Sequence, residues 1–348
     1  MSPPRVDLRS DTVTLPTPEM RAAMARAEVG DDVYREDPTT RLLEETAATL
    51  LGKEAAIFVP SGTMANQIAL LLHAPRGAEV IVGEGAHLCN FEAGAAAAWA
   101  GVQCVVAGRG GVFSAAELEP LLRPASEMYP ETRLVCIENT HNASGGTVFP
   151  QREILFIAER ARSAALALHL DGARLWNVAA ATNTSEAELA QPFDTVSACF
   201  SKGLGAPVGS VLAGSAELMR AARRFRKMLG GAMRQSGVLA AAALYALHHH
   251  RARLVDDHRN ARRIADILAS SPHVTSRAEA VQTNMVLVRL SEPRAQLVAR
   301  AAEGQGVLVH AMAPNAIRLV THLDITTSSA EAAAERLREV IGRVMSAA

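Results

Sequence analysis

Residues 193–210 read FDTVSACFSKGLGAPVGS and place a lysine where an apolar segment ends. The run FDTVSACF has the composition of a short buried strand, and Lys202 follows it closely, with Gly203, Gly205 and Pro207 just beyond. A lysine amine is normally hydrated, so its position at the end of a buried strand is unusual. This stretch predicts a strand that ends beside a pocket in which the amine has a function.

Segments on both sides of this strand alternate between strand and helix patterns. Short apolar runs typical of strands occupy residues 54–60, 78–83, 103–108, 132–139, 166–171 and 209–214. Apolar residues recur at helical spacing in residues 39–52, 62–74 and 152–164. Strands separated by helices predict βαβ units, and therefore an α/β fold with a mainly parallel sheet between helices.

The composition changes near residue 250, where a charged helical stretch, residues 255–270, follows the alternating region. The remaining segments, including TNMVLVRL, GVLVHAM and AIRLVTHL, form the pattern of a smaller α+β module. We predict an N-terminal arm at 1–25, a large domain at 26–250 and a small C-terminal domain at 251–348. The arm is rich in proline and weakly periodic, so we expect it to pack against the rest of the chain.

Charge and hydropathy exclude several classes of protein. The 348 residues include 35 basic and 36 acidic side chains, which argues against nucleic-acid binding. The first residues lack the apolar segment of a secretory signal, and the most apolar stretch, residues 93–108, is broken by two glycines and a glutamine. It is shorter than the ~18 unbroken apolar residues of a membrane span. We expect a cytoplasmic protein with no membrane partner.

The four cysteines are not arranged for metal binding. Cys104, Cys136 and Cys199 lie in segments that resemble buried strands, so we interpret them as small apolar core side chains in a reducing compartment. No C-x-x-C or H-E-x-x-H spacing occurs, and no metal site is predicted.

Polar residues end four of the predicted strands. In an open α/β sheet, ligands bind outside the carboxyl ends of the strands. The residues at these ends are Asp171, Lys202, His141 and the turn Ser61–Thr63. We expect them to converge on one site.

Lys202 and Asp171 together indicate pyridoxal phosphate. A lysine beside an apolar pocket is a usable nucleophile toward a carbonyl, although an ordinary loop lysine is the alternative. Asp171 ends an apolar strand, where a carboxylate needs a partner, and a protonated pyridine nitrogen is one. The alternative for Asp171 is a turn or helix cap. Arg174, three residues on, is close enough to reach the same ligand.

Ser61, Gly62 and Thr63 open a predicted helix, whose free N–H groups favour a phosphate. His87 follows another strand, and its imidazole suits stacking on an aromatic ring or moving a proton. For His87 and His141 alike, a hydrogen-bonded loop histidine is the alternative.

Two further groups of residues stand out, a basic segment and a run of three histidines. Residues 218–235 form a basic segment, which we interpret as a helix face at a subunit contact or near a phosphate. The consecutive histidines 248–250 point in different directions on a helix and are interpreted as a solvated helix end.

Taken together, these residues resemble the L-threonine aldolase family, pyridoxal-phosphate enzymes of the aspartate aminotransferase fold. The resemblance is carried, in chain order, by VDLRSDTVTLPTPEM, VGDDVY with EDP, GKEAAIFVPSGTMAN, ENTHN, LHLDGARLWN, SKGLGAPVGS, RKMLGGAMRQSG, TNMV and IRLVTHLD. It implies fold type I, with a sheet of seven-stranded type sandwiched by helices, and cleavage of β-hydroxy-α-amino acids to glycine and an aldehyde. It also implies a homotetramer, a dimer of dimers with each active site at a dimer interface.

The resemblance implies a role for each matching residue. Lys202 would bind the cofactor covalently, Asp171 would pair with the pyridine nitrogen, and His87 would stack on the ring. The remaining implied roles are phosphate binding by Ser61, Gly62, Thr63 and Arg234, substrate binding by Ser10, Tyr34, Arg174 and Arg318, and proximity of His87 and His141 to the β-hydroxyl. Arg174 is also expected near the cofactor.

The sequence departs from the family pattern near the expected pocket. Arg35 stands where the family usually has glycine, and Cys89 is unusual after the histidine. The preference of the pocket for a particular substrate side chain therefore stays open. A β-eliminating lyase or an aminotransferase acting on a small amino acid is the alternative function, and a non-catalytic binding protein on the same fold is a second.

Overall fold

The computed structural model describes residues 5–347. In chain order the strands are β1 (Val6–Asp7), β2 (Ala55–Val59), β3 (Glu79–Gly83), β4 (Gln103–Ala107), β5 (Thr132–Glu138), β6 (Ala167–Gly172), β7 (Thr195–Cys199), β8 (Ser210–Gly214), β9 (Met285–Arg289), β10 (Val307–Leu308), β11 (His310–Ala313) and β12 (Ala316–Val320). The α-helices are α1 (Pro18–Ala25), α2 (Pro38–Leu50), α3 (Gly62–His73), α4 (His87–Asn90), α5 (Ala115–Leu118), α6 (Gln151–Ser163), α7 (Leu175–Thr182), α8 (Glu186–Ala190), α9 (Ala216–Met228), α10 (Gly237–His249), α11 (Leu254–Ala269), α12 (Ala295–Glu303) and α13 (Thr327–Ser346).

A seven-stranded sheet forms the centre of the molecule, with the strand order β2-β8-β7-β6-β5-β3-β4. Neighbouring strands from β7 to β4 pair in parallel, which confirms the predicted mainly parallel sheet. β8 is antiparallel to both of its neighbours, which the sequence analysis did not predict. The reason is the connection at residues 200–209, which is shorter than the dozen or so residues that a parallel crossover requires. Lys202 lies in this short connection.

Helices cover both faces of the sheet because side chains alternate along its strands. In β2, Phe58 belongs to the large hydrophobic cluster that contains residues of α2, α6, α7 and α10. Its neighbours Ile57 and Val59 belong to a different cluster, with residues of α3 and α9. The sheet is therefore the middle of three layers.

Local sequence explains where these helices begin and end. α2 begins with Pro38 after the cap Asp37, whose side chain accepts a hydrogen bond from Thr40 N. It ends before Gly52, which has a φ of 61° in the left-handed region that glycine adopts readily. The polar cap Ser61 begins α3 in the same way, by accepting from Met64 N.

The C-terminal part packs around a three-stranded antiparallel sheet in the order β11-β12-β9, with residues of α11, α12 and α13 in its core. Val6 and Leu8 belong to this same core, and β1 pairs in parallel with β10. The N-terminal segment therefore packs against the C-terminal part. The domain boundaries at 25 and 250 stay predictions, and residues 1–4 of the predicted arm and Ala348 of the predicted small domain lie outside the described residues.

In the part of the chain that the structure describes, no helix has both the length and the apolarity needed to cross a membrane.

Candidate active site

A cavity of ≈ 330 Å³ lies at the carboxyl ends of strands in the central sheet. Its walls consist of Thr12, Pro60, Ser61, Gly62, Thr63, Asn66, His87, Asp171, Ala173, Cys199, Ser201, Lys202, Pro207 and Val208. Six of the residues singled out from the sequence are among them: Ser61, Gly62, Thr63, His87, Asp171 and Lys202. The other six, Ser10, Tyr34, His141, Arg174, Arg234 and Arg318, do not line this cavity.

Asp171 is a buried carboxylate at the end of β6, only 3% exposed. Its Oδ2 accepts a hydrogen bond from Asn66 Nδ2 at 2.8 Å, and its Oδ1 accepts one from Ala173 N at 3.1 Å. Both donors are neutral, and within residues 5–347 no lysine or arginine forms an ion pair with Asp171. A buried carboxylate without a cation is costly, so the cavity suits a ligand that brings a positive group to Asp171.

Asn66 has a fixed orientation, because its oxygen only accepts hydrogen bonds and its nitrogen only donates them. Ser197 Oγ donates to Asn66 Oδ1 at 3.1 Å, and His169 Nε2 lies 3.2 Å from the same oxygen and is therefore the donor. Burial lowers the pKa of His169 to about 4, so this ring is neutral at neutral pH. Asn66 Nδ2 consequently faces the two carboxylates, Asp171 and Glu92.

Lys202 is half-buried on the cavity wall, and its amine makes no hydrogen bond or ion pair within the described part of the chain. The loop behind it is held firmly, since Gly205 N donates to Lys202 O at 2.8 Å and Gly205 has a φ of 76°. His250 supports the same loop by donating from Nδ1 to Leu204 O at 2.7 Å. The predicted solvated histidine end is therefore wrong for His250, which is buried, while His248 and His249 are exposed.

The N-terminus of α3 forms another wall of the cavity. Ser61 uses its hydroxyl to cap Met64 N, so the N–H groups of Gly62 and Thr63 remain for a ligand. A β-carbon at Gly62 would lie 2.9 Å from Cys199 Sγ, which leaves no room for a larger residue. These features suit an anion such as a phosphate.

His87 contacts two buried carboxylates. Its Nδ1 lies 2.9 Å from Glu92 Oε1, and its backbone N donates to Glu138 Oε2 at 2.7 Å. The hydrogen bond to Glu92 raises the pKa of His87, against the opposing effect of burial. Burial and the nearby Asp171 raise the pKa of Glu138 to about 7.

His141 is fully buried, and the cavity does not reach it. Ser144 N donates to its Nδ1 at 3.3 Å, so the ring hydrogen resides on Nε2. Nε2 has no hydrogen-bond partner within residues 5–347 and lies 3.8 Å from Glu138 Oε2. Burial lowers the pKa of His141.

Arg174 forms a buried ion pair with Asp11, which the sequence analysis did not single out. Its Nε and Nη2 donate to the two carboxylate oxygens at 2.8 and 2.7 Å. Arg318 is half-buried; it donates to Asn142 Oδ1 at 2.9 Å and to Arg9 O at 3.0 Å, and its Nε has no partner among the described residues. Burial, together with the nearby Arg174, lowers the pKa of Arg318. Ser10 uses its hydroxyl locally, in hydrogen bonds with Thr12.

Tyr34 and Arg234 lie together on the protein surface. Tyr34 is 72% exposed, and the Arg234 side chain is 55% exposed and contacts Asp31 at 3.1 Å. Asp32 N donates to Arg234 O at 3.0 Å, so the two segments that carry them are joined.

Part of the basic segment at 218–235 is internal to the subunit, and its predicted location at a subunit contact or near a phosphate stays a prediction. Arg226 is buried and donates to Asp32 and to Phe58 O, both at 2.7 Å. Arg223 pairs with the buried carboxylate of Glu44. These two arginines satisfy carboxylates inside the subunit, because α9 packs on the sheet along this side.

The cysteine prediction is wrong for one pair. Cys89, in α4, and Cys104, in β4, form a disulfide, and both are half-buried. Cys136 and Cys199 are free and buried, as predicted. The pairing was missed because sequence spacing does not show that α4 packs beside β4.

The sequence analysis did not predict Asn66, which lines the cavity, or the buried carboxylates Glu92 and Glu138 next to it. Asn66 had a signal, since it follows Gly62 by four residues and so lies on the same helix face as the proposed phosphate site. Glu92 and Glu138 lie in segments that the sequence pattern singles out only through their histidines, His87 and His141.

Comparison with known proteins defines the class. Residues 7–291 match the model of the beta-eliminating lyase family, and the chain belongs to this family. The low-specificity L-threonine aldolase of Escherichia coli K12 is 43% identical over 340 residues, covering 97% of this chain and 100% of the relative. A probable low-specificity L-threonine aldolase of Arabidopsis thaliana is 44% identical over 334 residues, covering 94% of each chain.

A solved structure has the same fold. A threonine aldolase of Leishmania major superposes with a TM-score of 0.81 at 22% identity, covering 96% of this chain and 99% of that chain. The predicted fold type I architecture is thus confirmed, and so is the resemblance to L-threonine aldolases.

Proposed function

We propose that this chain is a pyridoxal-phosphate-dependent aldehyde-lyase that reversibly cleaves L-threonine, L-allo-threonine and other β-hydroxy-α-amino acids to glycine and an aldehyde. The identity of 43% to a low-specificity L-threonine aldolase over almost the whole chain supports this activity. So does the order of the motifs, from the aspartate of β6 to the lysine after β7.

One observation carries the proposal. The cavity combines a buried carboxylate without a cation, Asp171, with a free amine, Lys202, and the N-terminus of α3, where the N–H groups of Gly62 and Thr63 remain available beyond the Ser61 cap. Pyridoxal phosphate has a complementary group for each of these: a basic ring nitrogen, an aldehyde and a phosphate. The residues present therefore fit this cofactor.

We assign the residues that would hold the cofactor accordingly. Asp171 would keep a proton on the ring nitrogen, Lys202 would provide the amine, and Ser61, Gly62 and Thr63 would bind the phosphate. When bound, the cofactor supplies the electron-accepting ring that makes cleavage of the Cα–Cβ bond possible. Side chains of the protein would bind the substrate and move its protons.

Arg318 is the best candidate for the substrate carboxylate. It retains an Nε donor without a partner in residues 5–347, and an arginine binds a carboxylate through two parallel hydrogen bonds. Arg174 is already committed to Asp11, so we propose that it orients Asp11 and adds positive charge rather than gripping the substrate itself. Ser10 lies one residue before Asp11, and its Oγ accepts hydrogen bonds from Thr12 N and Oγ1, so its own O–H hydrogen remains available to donate to a substrate carboxylate.

His87 is the candidate for taking the proton from the β-hydroxyl. It lines the cavity, and because Nδ1 donates to Glu92, its Nε2 can accept a proton. His141 is the weaker candidate, since its hydrogen is on Nε2 and the cavity does not reach it. We propose that His141 supports the loop at residues 138–147.

Tyr34 and Arg234 would act on a neighbouring subunit. Their exposure and their absence from the walls of their own chain's cavity support active sites at a dimer interface, and we propose the homotetramer that the family resemblance implies. Lys202→Ala and Arg234→Ala should each have low activity, and mixed refolded dimers should recover part of it. Mixed oligomers that stay inactive would show that Arg234 acts within its own chain or not at all.

We also propose a cytoplasmic location; the Cys89–Cys104 disulfide argues against it, since disulfides are uncommon in a reducing compartment.

Product analysis tests the function. Incubation with L-threonine and pyridoxal phosphate should give glycine and acetaldehyde in equal amounts. Ammonia with an oxo acid would instead identify the β-eliminating alternative, which the matched family model keeps open. Transfer of the amino group to an added oxo acid would identify an aminotransferase.

A further inference from the structure

Glu92 is a buried carboxylate beside the cavity, with 0% exposure of its side chain. Oε1 accepts from Asn66 Nδ2 at 2.8 Å and faces His87 Nδ1 at 2.9 Å, and Oε2 accepts from Gln67 Nε2 at 2.7 Å. Among the described residues, no lysine or arginine pairs with it. Two of its three partners, Asn66 and His87, line the cavity, so its hydrogen bonds serve the site directly.

The direction of these hydrogen bonds fixes the His87 ring. An ionised carboxylate only accepts hydrogen bonds, so His87 Nδ1 must carry the hydrogen that faces Glu92. In the neutral ring, Nε2 is then the nitrogen with a free lone pair. Without Glu92, either nitrogen could carry the hydrogen.

The same carboxylate is connected to Asp171. The two hydrogens of Asn66 Nδ2 bond to Glu92 Oε1 and to Asp171 Oδ2, both at 2.8 Å. The binding atoms of His87, Glu92 and Asp171 all lie within 4.8 Å of one another. The N–H groups of Asn66 and His87 stand between these oxygens, so hydrogen bonds account for this cluster without a metal ion.

We propose that Glu92 is a positioning residue: it sets the tautomer, charge and orientation of His87 and, through Asn66, holds that ring at a fixed place relative to Asp171. The catalytic consequence rests on the proposed function, in which His87 acts on bound substrate. The control of the ring by Glu92 does not depend on it.

Other charged groups also face His87, and their effects on the ring must be distinguished from the effect of Glu92. Asp171 at the end of β6 raises the pKa of the ring, and Lys202 after β7 lowers it. Glu138 at the end of β5 contacts the backbone N of His87. A single substitution at Glu92 leaves all three groups in place.

The test is the titration of His87 in the full-length protein, as purified and after loading with pyridoxal phosphate. Histidine labelled with ¹³C and ¹⁵N gives one signal set for each of the 11 histidines, and His87→Asn identifies the relevant one. Glu92→Gln should lower the titration midpoint of His87 by about one pH unit or more, since a neutral amide replaces a buried negative charge. An unchanged midpoint in folded Glu92→Gln would overturn the proposal.

Glu79→Gln is the matched control. Glu79 is equally buried in the central sheet, but it pairs with Arg123 at the amino end of β3, the edge of the sheet opposite the cavity. Whatever stability this variant loses, its His87 midpoint should not move. A shift of equal size in both variants would show a general structural effect and reject the specific role of Glu92.

A further test uses the wild-type protein and therefore does not depend on whether a variant folds. The ¹⁵N shifts of neutral His87 should show the hydrogen on Nδ1, and a hydrogen on Nε2 would contradict the proposal. In the loaded enzyme, Glu92→Gln should lower kcat about 10- to 100-fold with little change in KM, because the loss of the buried negative charge makes His87 Nε2 a weaker base. A kcat near the wild-type value in Glu92→Asp would support the requirement for a negative charge at this position. Failure of the proposed function would appear separately, as a wild-type enzyme that forms no glycine.

Discussion

The guanidinium of Arg174 holds the carboxylate of Asp11 through two hydrogen bonds of 2.8 and 2.7 Å, and both side chains are almost completely buried. Asn284 Nδ2 donates a third hydrogen bond to the carboxylate at 3.2 Å. Asp11 lies in the N-terminal segment, Arg174 at the end of β6 and Asn284 beside β9, so these three side chains join three separate parts of the chain next to the cavity.

Asp11→Asn should strongly destabilise the protein. The substitution leaves a buried guanidinium without its counter-charge, which costs about 3–5 kcal/mol. Denaturant unfolding followed by circular dichroism measures the change. Asp7→Asn, at a more exposed ion pair with Arg9, is the control and should cost about 1 kcal/mol or less. Equal losses in the two variants would contradict the importance of the buried pair.

The same pair predicts a loss of stability in acid. Burial raises the pKa of Asp11, but the charge and hydrogen bonds of Arg174 outweigh this effect and hold the pKa at about 2, below the usual value of 3.8 for an aspartate. A lowered carboxyl pKa contributes stability that is present above the unfolded value and disappears as the pH falls toward the folded value. The free energy of unfolding should therefore decrease between about pH 4 and pH 2. In Asp11→Asn this part of the decrease should be absent, and an identical acid profile would contradict the assignment.

Arg318→Ala should raise KM for the amino-acid substrate with a smaller effect on kcat. A lost charge-assisted hydrogen bond of about 1.5–3 kcal/mol corresponds to roughly 10- to 100-fold in KM. Steady-state kinetics of aldehyde release measure it. Arg289→Ala, an exposed arginine on the neighbouring strand β9, should leave KM unchanged. An unchanged KM in Arg318→Ala would assign the carboxylate to another group.

Arg35→Gly should stabilise the protein. Arg35 has a φ of 62°, in the left-handed region where a β-carbon costs about 1 kcal/mol. Arg35→Ala keeps the β-carbon and tests the loss of the guanidinium alone. We expect a higher melting temperature for the glycine variant only. A gain in both variants would place the effect in the side chain's charge instead.

Thiol labelling tests the cysteine pairing. In protein purified and denatured without reductant, an alkylating reagent should label Cys136 and Cys199 only, because Cys89 and Cys104 are joined. After reduction, all four should react. Label on Cys89 or Cys104 before reduction would contradict the disulfide.

Much of the fold could be predicted from the sequence because local patterns determine it. The apolar runs that become β2, β3 and β6 are bounded by glycine, proline or acidic residues, and Ser61 and Gly52 mark helix ends in recognisable ways. The antiparallel β8 could have been anticipated from its short connection. Pairings between distant segments could not, and this is why β1 beside β10, and Cys89 beside Cys104, appear only in the structure.

In the candidate site, too, some residues could be predicted from the local sequence and others only from the structure. Asp171 and Lys202 stand out locally, since each is a charged residue at the end of an apolar run. The partners that orient these groups, Asn66 and Glu92, are ordinary polar residues in sequence. Their importance depends on burial and on hydrogen-bond direction, which only three-dimensional contacts reveal.

The central claim is that the cavity binds pyridoxal phosphate through Lys202, and the chain makes this unusually direct to test. It has three lysines: Lys53 donates to Phe193 O at 2.6 Å, Lys227 is exposed on α9, and Lys202 alone lines the cavity. Incubation with the cofactor, reduction with borohydride and peptide mass mapping should place the pyridoxyl group on Lys202. A modification confined to Lys53 or Lys227, or no modification of any lysine, would contradict the account.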